Sequence, residues 1–330
     1  MDDRAAQPST DRPSTDPTMP TTQMPAEPPA ERPALDGVAQ QGRPGLDRPA
    51  AGQPERDQPG PDRARRLGPW APLAPDGAER DRLALSVRSL VKVFGSKVAV
   101  NGIGLDVPAG SFYGLVGPNG AGKTTTLSMA TGLLRPTEGS VLVRGVDVWA
   151  DPLTAKRTLG VLPDGVRLFD RLTGEQLVTY AGLLRGMDRV TVAERVGDLM
   201  AALDLVADAG TPVVDYSAGM TKKISLAAAM IHAPAVLVLD EPFESVDPVS
   251  AANIRQILHT YVDSGGTVIV SSHVMDLVQR MCDHVAVIAG GNVLAAGTIE
   301  EVRAGQSLED RFVAMVGGRS SGEGLTWLHI

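Results

Sequence analysis

The chain has 330 residues, of which 43% are hydrophobic and only 4% aromatic, and its formal net charge is -8 at pH 7. This composition allows a sizeable, mainly aliphatic core, and the acidic balance argues against general nucleic-acid binding, which favours a basic surface. The single cysteine, Cys282, excludes an intrachain disulfide and a cysteine-rich zinc site. We expect it to be a small buried hydrophobe.

Membrane-spanning and secretory signals are not found in the sequence. No stretch approaches the ~20 uninterrupted apolar residues that a transmembrane helix needs. The start of the chain, Met1-Asp2-Asp3-Arg4, lacks the basic and apolar pattern of a secretory signal. We therefore expect the chain to be made and kept in the cytoplasm.

The first 80 residues differ in composition from the rest of the chain. They hold 16 of the 25 prolines and show neither helical nor strand periodicity. Such a segment buries too little apolar surface to offset the entropy of ordering it. We predict a disordered tail over residues 1–80, with a role as a tether or partner-binding segment as the alternative, and a short C-terminal tail over residues 318–330.

Ordered structure is predicted from Asp81 onward. Apolar runs bounded by Gly, Pro or Ser predict strands at Leu83–Val93, Val98–Val107, Phe112–Val116, Ser140–Val143, Thr158–Val161, Val236–Leu239, Thr267–Val270 and His284–Ile288. Helices are predicted at Thr124–Leu134, Glu175–Arg185, Thr191–Leu203, Ser217–His232, Pro248–Asp263 and Val274–Met281. The alternation predicts an α/β fold with a mainly parallel sheet covered on both faces, and an antiparallel β-subdomain at its start.

A glycine-rich loop, Gly117-Pro118-Asn119-Gly120-Ala121-Gly122-Lys123-Thr124, follows one predicted strand and opens a predicted helix. In that context the pattern binds nucleotide phosphates, because glycines let backbone N–H groups wrap an anion and the helix directs its positive end at it. Lys123 would reach the β- and γ-phosphates, and the Thr124 hydroxyl would bind Mg²⁺.

Two carboxylates end the apolar strand that runs from Ala235 to Leu239. Asp240 would hold Mg²⁺ through its water shell, and Glu241 would polarise the attacking water. Since successive strand residues point in opposite directions, the two side chains can do different jobs.

Four further segments accompany these two motifs. Phe94 precedes the glycine-rich loop. The other three are Tyr216-Ser217-Ala218-Gly219-Met220, Glu244-Ser245-Val246-Asp247-Pro248 and Val270-Ser271-Ser272-His273. In this order, over Leu83 to Gly317, the motifs resemble the nucleotide-binding domain of ATP-binding cassette (ABC) transporters. The resemblance implies a P-loop NTPase core over residues 81–317, with a helical subdomain that carries the signature motif.

The resemblance also assigns roles. Phe94 would stack on adenine, Asp247 would link the two sites of a dimer, and His273 would contact the γ-phosphate and the attacking water. Ser217 and Gly219 of one chain would cap the phosphate held by the other. The implied catalytic residues are Glu241 and His273, and the implied metal ligands are Thr124, Asp164 and Asp240. The implied ATP-binding residues are Phe94, Gly117, Asn119, Gly120, Gly122, Lys123, Thr124, Thr125, Ser217, Gly219 and Asp247.

Some positions depart from the family pattern. Tyr216, Ala218 and Met220 replace the usual Leu, first Gly and Gln of the signature. Asp164 stands where the family has a Gln that contacts Mg²⁺ and couples to the membrane partner. We expect Asp164 to keep the metal contact with altered coupling or a slower rate.

The resemblance implies an ATPase that powers transport, more in keeping with export of drugs, lipids or polysaccharides than with import. Its implied partners are a separate membrane-spanning permease, docked on residues 166–189, and a second copy or a similar ATPase subunit. It would work at the cytoplasmic face of the membrane, with ATP and Mg²⁺ and without nucleic acid. Two alternatives remain: a soluble non-transport ATPase of DNA repair, chromosome structure or translation, and a degenerate cassette that binds ATP in a regulatory role.

Overall fold

The structure, a computed structural model, describes residues 82–165 and 167–317. The predicted tails 1–80 and 318–330 lie outside the described residues, so the domain boundaries stay predictions. The strands are β1 Leu83–Phe94, β2 Lys97–Pro108, β3 Phe112–Val116, β4 Glu138–Val143, β5 Val146–Asp147, β6 Leu159–Leu162, β7 Val236–Asp240, β8 Thr267–Ser272, β9 His284–Ala289 and β10 Asn292–Thr298. The α-helices are α1 Lys123–Ala130, α2 Pro152–Thr158, α3 Gly174–Leu184, α4 Arg189–Ala202, α5 Ala218–Met230, α6 Pro248–Asp263, α7 Met275–Met281, α8 Ile299–Arg303 and α9 Leu308–Val316.

The described strands form two sheets. An antiparallel sheet has the order β2-β1-β4-β5, and a larger sheet has the order β10-β9-β3-β8-β7-β6. In the larger sheet β9, β3, β8, β7 and β6 run parallel, and β10 alone pairs antiparallel, with β9. The predicted α/β class, with a mainly parallel sheet and an antiparallel β-subdomain, is confirmed.

The parallel sheet is apolar on both faces because its strands alternate between two cores. Phe112 and Val116 of β3 belong to one core, which the helices α3 to α7 cover. Tyr113 and Leu115 of the same strand belong to the other, which α1 and the antiparallel sheet cover. Burial on both faces explains why these strands are continuous apolar runs in the sequence. Cys282 is buried in the first core, and burial raises the pKa of its thiol.

Polar caps fix the beginnings of the helices that surround the site. Thr173 makes a reciprocal capping box with Gln176 at the start of α3, and Asp188 caps α4. The Ser217 hydroxyl accepts a hydrogen bond from the Met220 N–H at the start of α5. Each cap satisfies backbone N–H groups that the first helical turn leaves without partners.

Several predicted boundaries need correction. The helix predicted over Thr124–Leu134 is shorter, and Gly132 lies beyond its end with a φ of 73°. Thr158, predicted to begin a strand, instead ends α2, a helix that the sequence analysis missed. Strands β5 and β10 and helices α8 and α9 were also missed.

The sheet order brings functional loops to one edge. Strands β3, β8, β7 and β6 are neighbours and parallel, so their carboxyl ends share an edge. Open α/β sheets bind their ligands at such an edge. Among residues 82–165 and 167–317, no helix has the length and apolar character needed to cross a membrane.

Candidate active site

The glycine-rich loop connects β3 to α1, and two of its glycines are required by close packing. A Cβ atom on Gly117 would overlap the carbonyl oxygen of Ile288. A Cβ atom on Gly122, whose φ is 108°, would lie 2.8 Å from the carbonyl oxygen of Ala99. Gly120 differs, because it has a φ of 77° and open space on its Cβ side. The loop is therefore wedged against β9 and β2 and open towards solvent at Gly120.

Lys123 is held beneath this loop. Its side chain is only 5% exposed, and Nζ donates a hydrogen bond of 2.8 Å to the carbonyl oxygen of Gly117. The same Nζ lies 3.4 Å from Oε1 of Glu241. A buried ammonium group needs a counter-charge, and here the carboxylate at the end of β7 provides it.

Ser271 of β8 contacts both Asp240 and Glu241. The Ser271 hydroxyl donates to Oδ1 of Asp240 and accepts a 2.9 Å hydrogen bond from the Glu241 N–H. Ser271 is fully buried. Glu241 has a φ of 47°, a left-handed backbone conformation that non-glycine residues rarely adopt. Ser271 therefore holds the turn that presents both carboxylates.

His273 follows β8, the neighbour of β7. Its Nδ1 atom lies 3.1 Å from Oε2 of Glu241. The Glu241 carboxylate thus has Lys123 at one oxygen and His273 at the other, although Glu241 and His273 are 32 residues apart.

Lys123, Glu241 and His273 border a cleft of about 600 Å³, a size typical of small-molecule sites, whereas Asp240 is not among its described lining residues. The cleft contains most of the predicted phosphate-binding residues together with Phe94 at its rim. It is lined by Phe94, Lys97, Val98, Ala99, Asn119, Gly120, Ala121, Gly122, Lys123, Thr124, Thr125, Asp164, Glu241, Glu244, His273, Gly290 and Gly291.

Phe94 ends β1 and is 48% exposed, which is unusual for a large aromatic residue. The Nζ atom of Lys92 lies 5.2 Å from the ring centroid, within the range of a cation–π contact. An exposed ring at the mouth of a polar cleft offers a flat face for a base to stack on.

Ser217, Gly219 and Asp247 lie together, but apart from this cleft. Oδ2 of Asp247 is 3.2 Å from the position of a Cβ on Gly219, and the Asp247 carboxylate caps α6. None of the three is among the described residues that line the cleft. Within one chain, the structure therefore separates the predicted signature from the predicted phosphate loop.

Comparisons with known proteins identify the family in which this arrangement is found. The family model described as ABC transporter matches residues 100–244. The daunorubicin/doxorubicin resistance ATP-binding protein DrrA of Streptomyces peucetius is 36% identical over 220 residues, which are 67% of this chain and 67% of that protein. The chain belongs to the ABC transporter family.

Two further comparisons extend this result. The Nod factor export ATP-binding protein I of Cupriavidus metallidurans is 33% identical over 66% of this chain and 72% of its own length. A solved ATP-binding subunit of an ABC transporter superposes with a TM-score of 0.67 and 25% identity, covering 71% of this chain and 99% of that one. This chain is an ATP-binding and ATP-hydrolysing subunit of the ABC type.

Asp164 of this ABC ATPase lines the cleft but faces a partner that the sequence analysis missed. Its side chain is 44% exposed, and Oδ1 lies 3.7 Å from Nζ of Lys222. Lys222 belongs to α5, immediately after the signature. The position of Lys222 beside the signature indicated that it lies near the site. Its pairing with Asp164, however, depends on how α5 packs against the end of β6.

Ser271 is the other missed residue. It stands in the Ser271-Ser272-His273 run, where a serine on a buried strand had no assigned role. A buried hydroxyl needs a hydrogen-bond partner, so the run indicated a polar neighbour without identifying it. The partners become known only once β8 is placed beside β7.

Proposed function

We propose that this ABC ATPase powers export of a small molecule through a separately encoded membrane permease. The observation that carries the proposal is the convergence of Lys123, Glu241 and His273 on one cleft beside the glycine-rich loop. The relatives support export as the direction of transport, since one is named for drug resistance and another for export of Nod factor.

ATP is proposed to bind with its phosphates on the loop 117–122 and its base on Phe94. Lys123 is already buried beneath the loop, so its ammonium group can reach a phosphate without first being ordered. The exposed hydroxyl of Thr124 and the side chain of Thr125 border the same space. Positioning and charge stabilisation account for most of the catalysis expected in this class.

Glu241 is proposed as the group that takes a proton from the attacking water. In the described arrangement its carboxylate lies 3.4 Å from the ammonium group of Lys123. A bound phosphate would compete for that ammonium group and leave the carboxylate to accept from water. His273, 3.1 Å from Glu241, is placed to orient the carboxylate and to donate to the phosphate.

Mg²⁺ is proposed to be held by the hydroxyl of Thr124, which borders the cleft, and by Asp240 through its water shell. Mg²⁺ prefers oxygen ligands, and it is often held by one or two carboxylates together with phosphates and water. Across the described residues no cluster of three or more His, Cys, Asp or Glu could hold a metal by itself, so the protein is proposed to supply only part of the ligand set. When bound, the ion would neutralise charge that develops on the phosphates.

A second copy of the chain, or a similar subunit, is proposed to complete the site. Ser217 and Gly219 lie outside the cleft of their own chain, at the start of α5, where backbone N–H groups favour an anion. In a head-to-tail dimer they would face the phosphates held by the partner. Asp247, packed beside Gly219, would then lie close to the dimer interface.

The permease is proposed to dock on the surface around residues 167–189, which would place the ATPase peripherally on the cytoplasmic face of the membrane. Phe169 is 68% exposed and Leu184 is 84% exposed there, which is unusual for large apolar side chains. Arg167 and Arg171 are also exposed. Arg185 is less available for contact with a permease, because its guanidinium group donates to the carbonyl oxygen of Lys156 and contacts His232.

The experiment co-expresses the chain with a candidate permease and measures ATP hydrolysis in purified complexes. We expect co-purification, Mg²⁺-dependent hydrolysis and its loss in Glu241→Gln. Transport of a candidate drug, measured in inside-out vesicles or in whole cells, gives the direction of transport. Co-purification with ribosomes instead of a permease would favour the non-transport alternative. No hydrolysis even with the permease would favour a regulatory cassette.

A further inference from the structure

Lys222 connects two segments of the site that the chain places far apart. Its Nζ atom donates a 2.9 Å hydrogen bond to the backbone carbonyl oxygen of Glu241. The same atom lies 3.7 Å from Oδ1 of Asp164. Lys222 is 19% exposed and Asp164 is 44% exposed, so both lie at the border between protein and solvent.

The surroundings of Lys222 concentrate negative charge. A cavity of about 300 Å³ lies between the loop after β6, the start of α5 and the turn after β7. Its lining includes the carboxylate residues Asp164 and Glu244, and Lys222 is the only cationic residue among the described residues that line it. Its ammonium group contacts the Asp164 carboxylate and the Glu241 carbonyl oxygen.

The contact with Glu241 matters because of the backbone there. Glu241 has a φ of 47°, and a non-glycine residue keeps such a sparsely populated conformation only where its surroundings impose it. Ser271 holds the N–H of Glu241, and Lys222 holds its carbonyl oxygen. The two hydrogen bonds together fix the peptide groups on both sides of the Glu241 side chain.

We propose that Lys222 is a positioning residue for hydrolysis, and that Asp164 serves as its counter-ion instead of as a magnesium ligand. Lys222 orients Glu241 through the Glu241 carbonyl oxygen. Asp164 holds Lys222 in place, so a displacement of the loop after β6 is transmitted to the turn that carries Glu241. This inference rests on the proposed role of Glu241 in hydrolysis.

The pair explains why an acidic residue is compatible with this position. A carboxylate near bound phosphates is repelled by them, and an ammonium group at 3.7 Å offsets that charge. It also makes Lys222 and Asp164 a coupled unit, whose single and double variants should not be additive.

The test measures kcat, KM for ATP and the Mg²⁺ concentration for half-maximal rate in the full chain with its permease. We expect Lys222→Met to lower kcat roughly 10- to 100-fold, the range that misplacement of a reacting group produces. KM and the Mg²⁺ requirement should change little. Lys222→Arg should restore much of the rate, and Lys222→Met with Asp164→Asn should be no worse than Lys222→Met alone. Lys156→Met and Asp198→Asn, both on exposed helix positions, are the matched controls.

A second readout uses the chain without nucleotide. Amide hydrogen exchange in residues 241–245 should rise in Lys222→Met and not in Lys156→Met, because the hydrogen bond to Glu241 is lost. Unchanged exchange together with an unchanged kcat in Lys222→Met would overturn the proposal. So would a raised Mg²⁺ requirement confined to Asp164→Asn, which would make Asp164 a metal ligand. Normal hydrolysis in Glu241→Gln would instead refute the proposed function.

Discussion

The Nδ1 atom of His273 lies 3.1 Å from Oε2 of Glu241. The two residues come directly after neighbouring parallel strands, β8 and β7, so the sheet itself sets their separation. His273 is 39% exposed at its side chain whereas Glu241 is nearly buried. Both side chains line the cleft, and the imidazole is the more exposed of the two.

Removing either group should slow hydrolysis. Glu241→Gln keeps the size of the side chain but loses the proton acceptor, and we expect kcat to fall by about 10²-fold or more. His273→Ala should produce a loss of similar order. Because the two act as a unit, the double variant should be little worse than Glu241→Gln. Phosphate release reports the rate, and filter binding of ATP should show that affinity is retained; additive losses would separate their roles.

Ser271→Ala should destabilise the protein more than its small change in volume suggests. It leaves the Glu241 N–H and the Asp240 carboxylate without their buried partner, which costs about 1–3 kcal/mol. Ser264→Ala is the matched control, since Ser264 is exposed at the end of α6 and should change stability by less than about 0.5 kcal/mol. Urea unfolding midpoints compare the two, and equal midpoints would contradict the role of Ser271.

Phe94→Ala should weaken ATP binding by about 1–3 kcal/mol through loss of a stacking surface. The residue is 48% exposed, so the free energy of unfolding should change little. Phe94→Trp should preserve binding. Titration of a fluorescent ATP analogue measures the affinities, and Val190→Ala, at a 69% exposed position away from the cleft, serves as the control. Unchanged affinity in Phe94→Ala would show that the base does not stack on this face of the cleft.

Alanine at two glycines should have opposite effects. Gly117→Ala places a Cβ against the rigid carbonyl oxygen of Ile288, and we expect a loss of about 1–3 kcal/mol together with loss of ATP binding. Gly197 lies within α4 with open space around its Cβ position. Gly197→Ala should therefore stabilise the protein by up to about 1 kcal/mol. Thermal unfolding of both variants gives the two signs.

His232 should make stability fall in mild acid. Burial, with the Arg185 guanidinium group 2.7 Å from Nε2, lowers the pKa of His232 from 6.5 to about 4. Between those values the unfolded chain binds a proton that the folded chain does not, so stability falls as pH falls from 6.5 towards 4. Above pH 6.5 this group contributes no pH dependence. His232→Gln should flatten that part of the profile, and an identical profile from urea unfolding would contradict the assignment.

The sequence predicted those helices, strands and loops whose structure depends mainly on residues close together in the chain. The glycine-rich loop sits between β3 and α1 as expected, because glycine spacing and an apolar strand are both visible in the chain. Helix α2 also had a readable start, since Asp151 caps it and Pro152 follows, a combination typical of first helical turns. Strand β10, with Ala295, Ala296 and Gly297, has a composition that does not favour a strand, and its pairing with β9 decides its structure.

The contacts of Lys222 and Ser271 could not be predicted in the same way. They depend on the strand order β3-β8-β7-β6, which differs from the order of the strands along the chain. Ser271 meets Asp240 only because β8 inserts between β3 and β7. Lys222 meets Asp164 only because α5 packs over the end of β6. Such contacts follow from topology, and single residues give no sign of them.

The separation of Ser217 from the cleft of its own chain has a consequence for the cell. On the proposed head-to-tail arrangement, a newly made subunit without a partner holds an incomplete site and consumes ATP slowly. Subunits that have not yet paired would then place little demand on cellular energy. The assembly state of the subunit would then decide when ATP is hydrolysed.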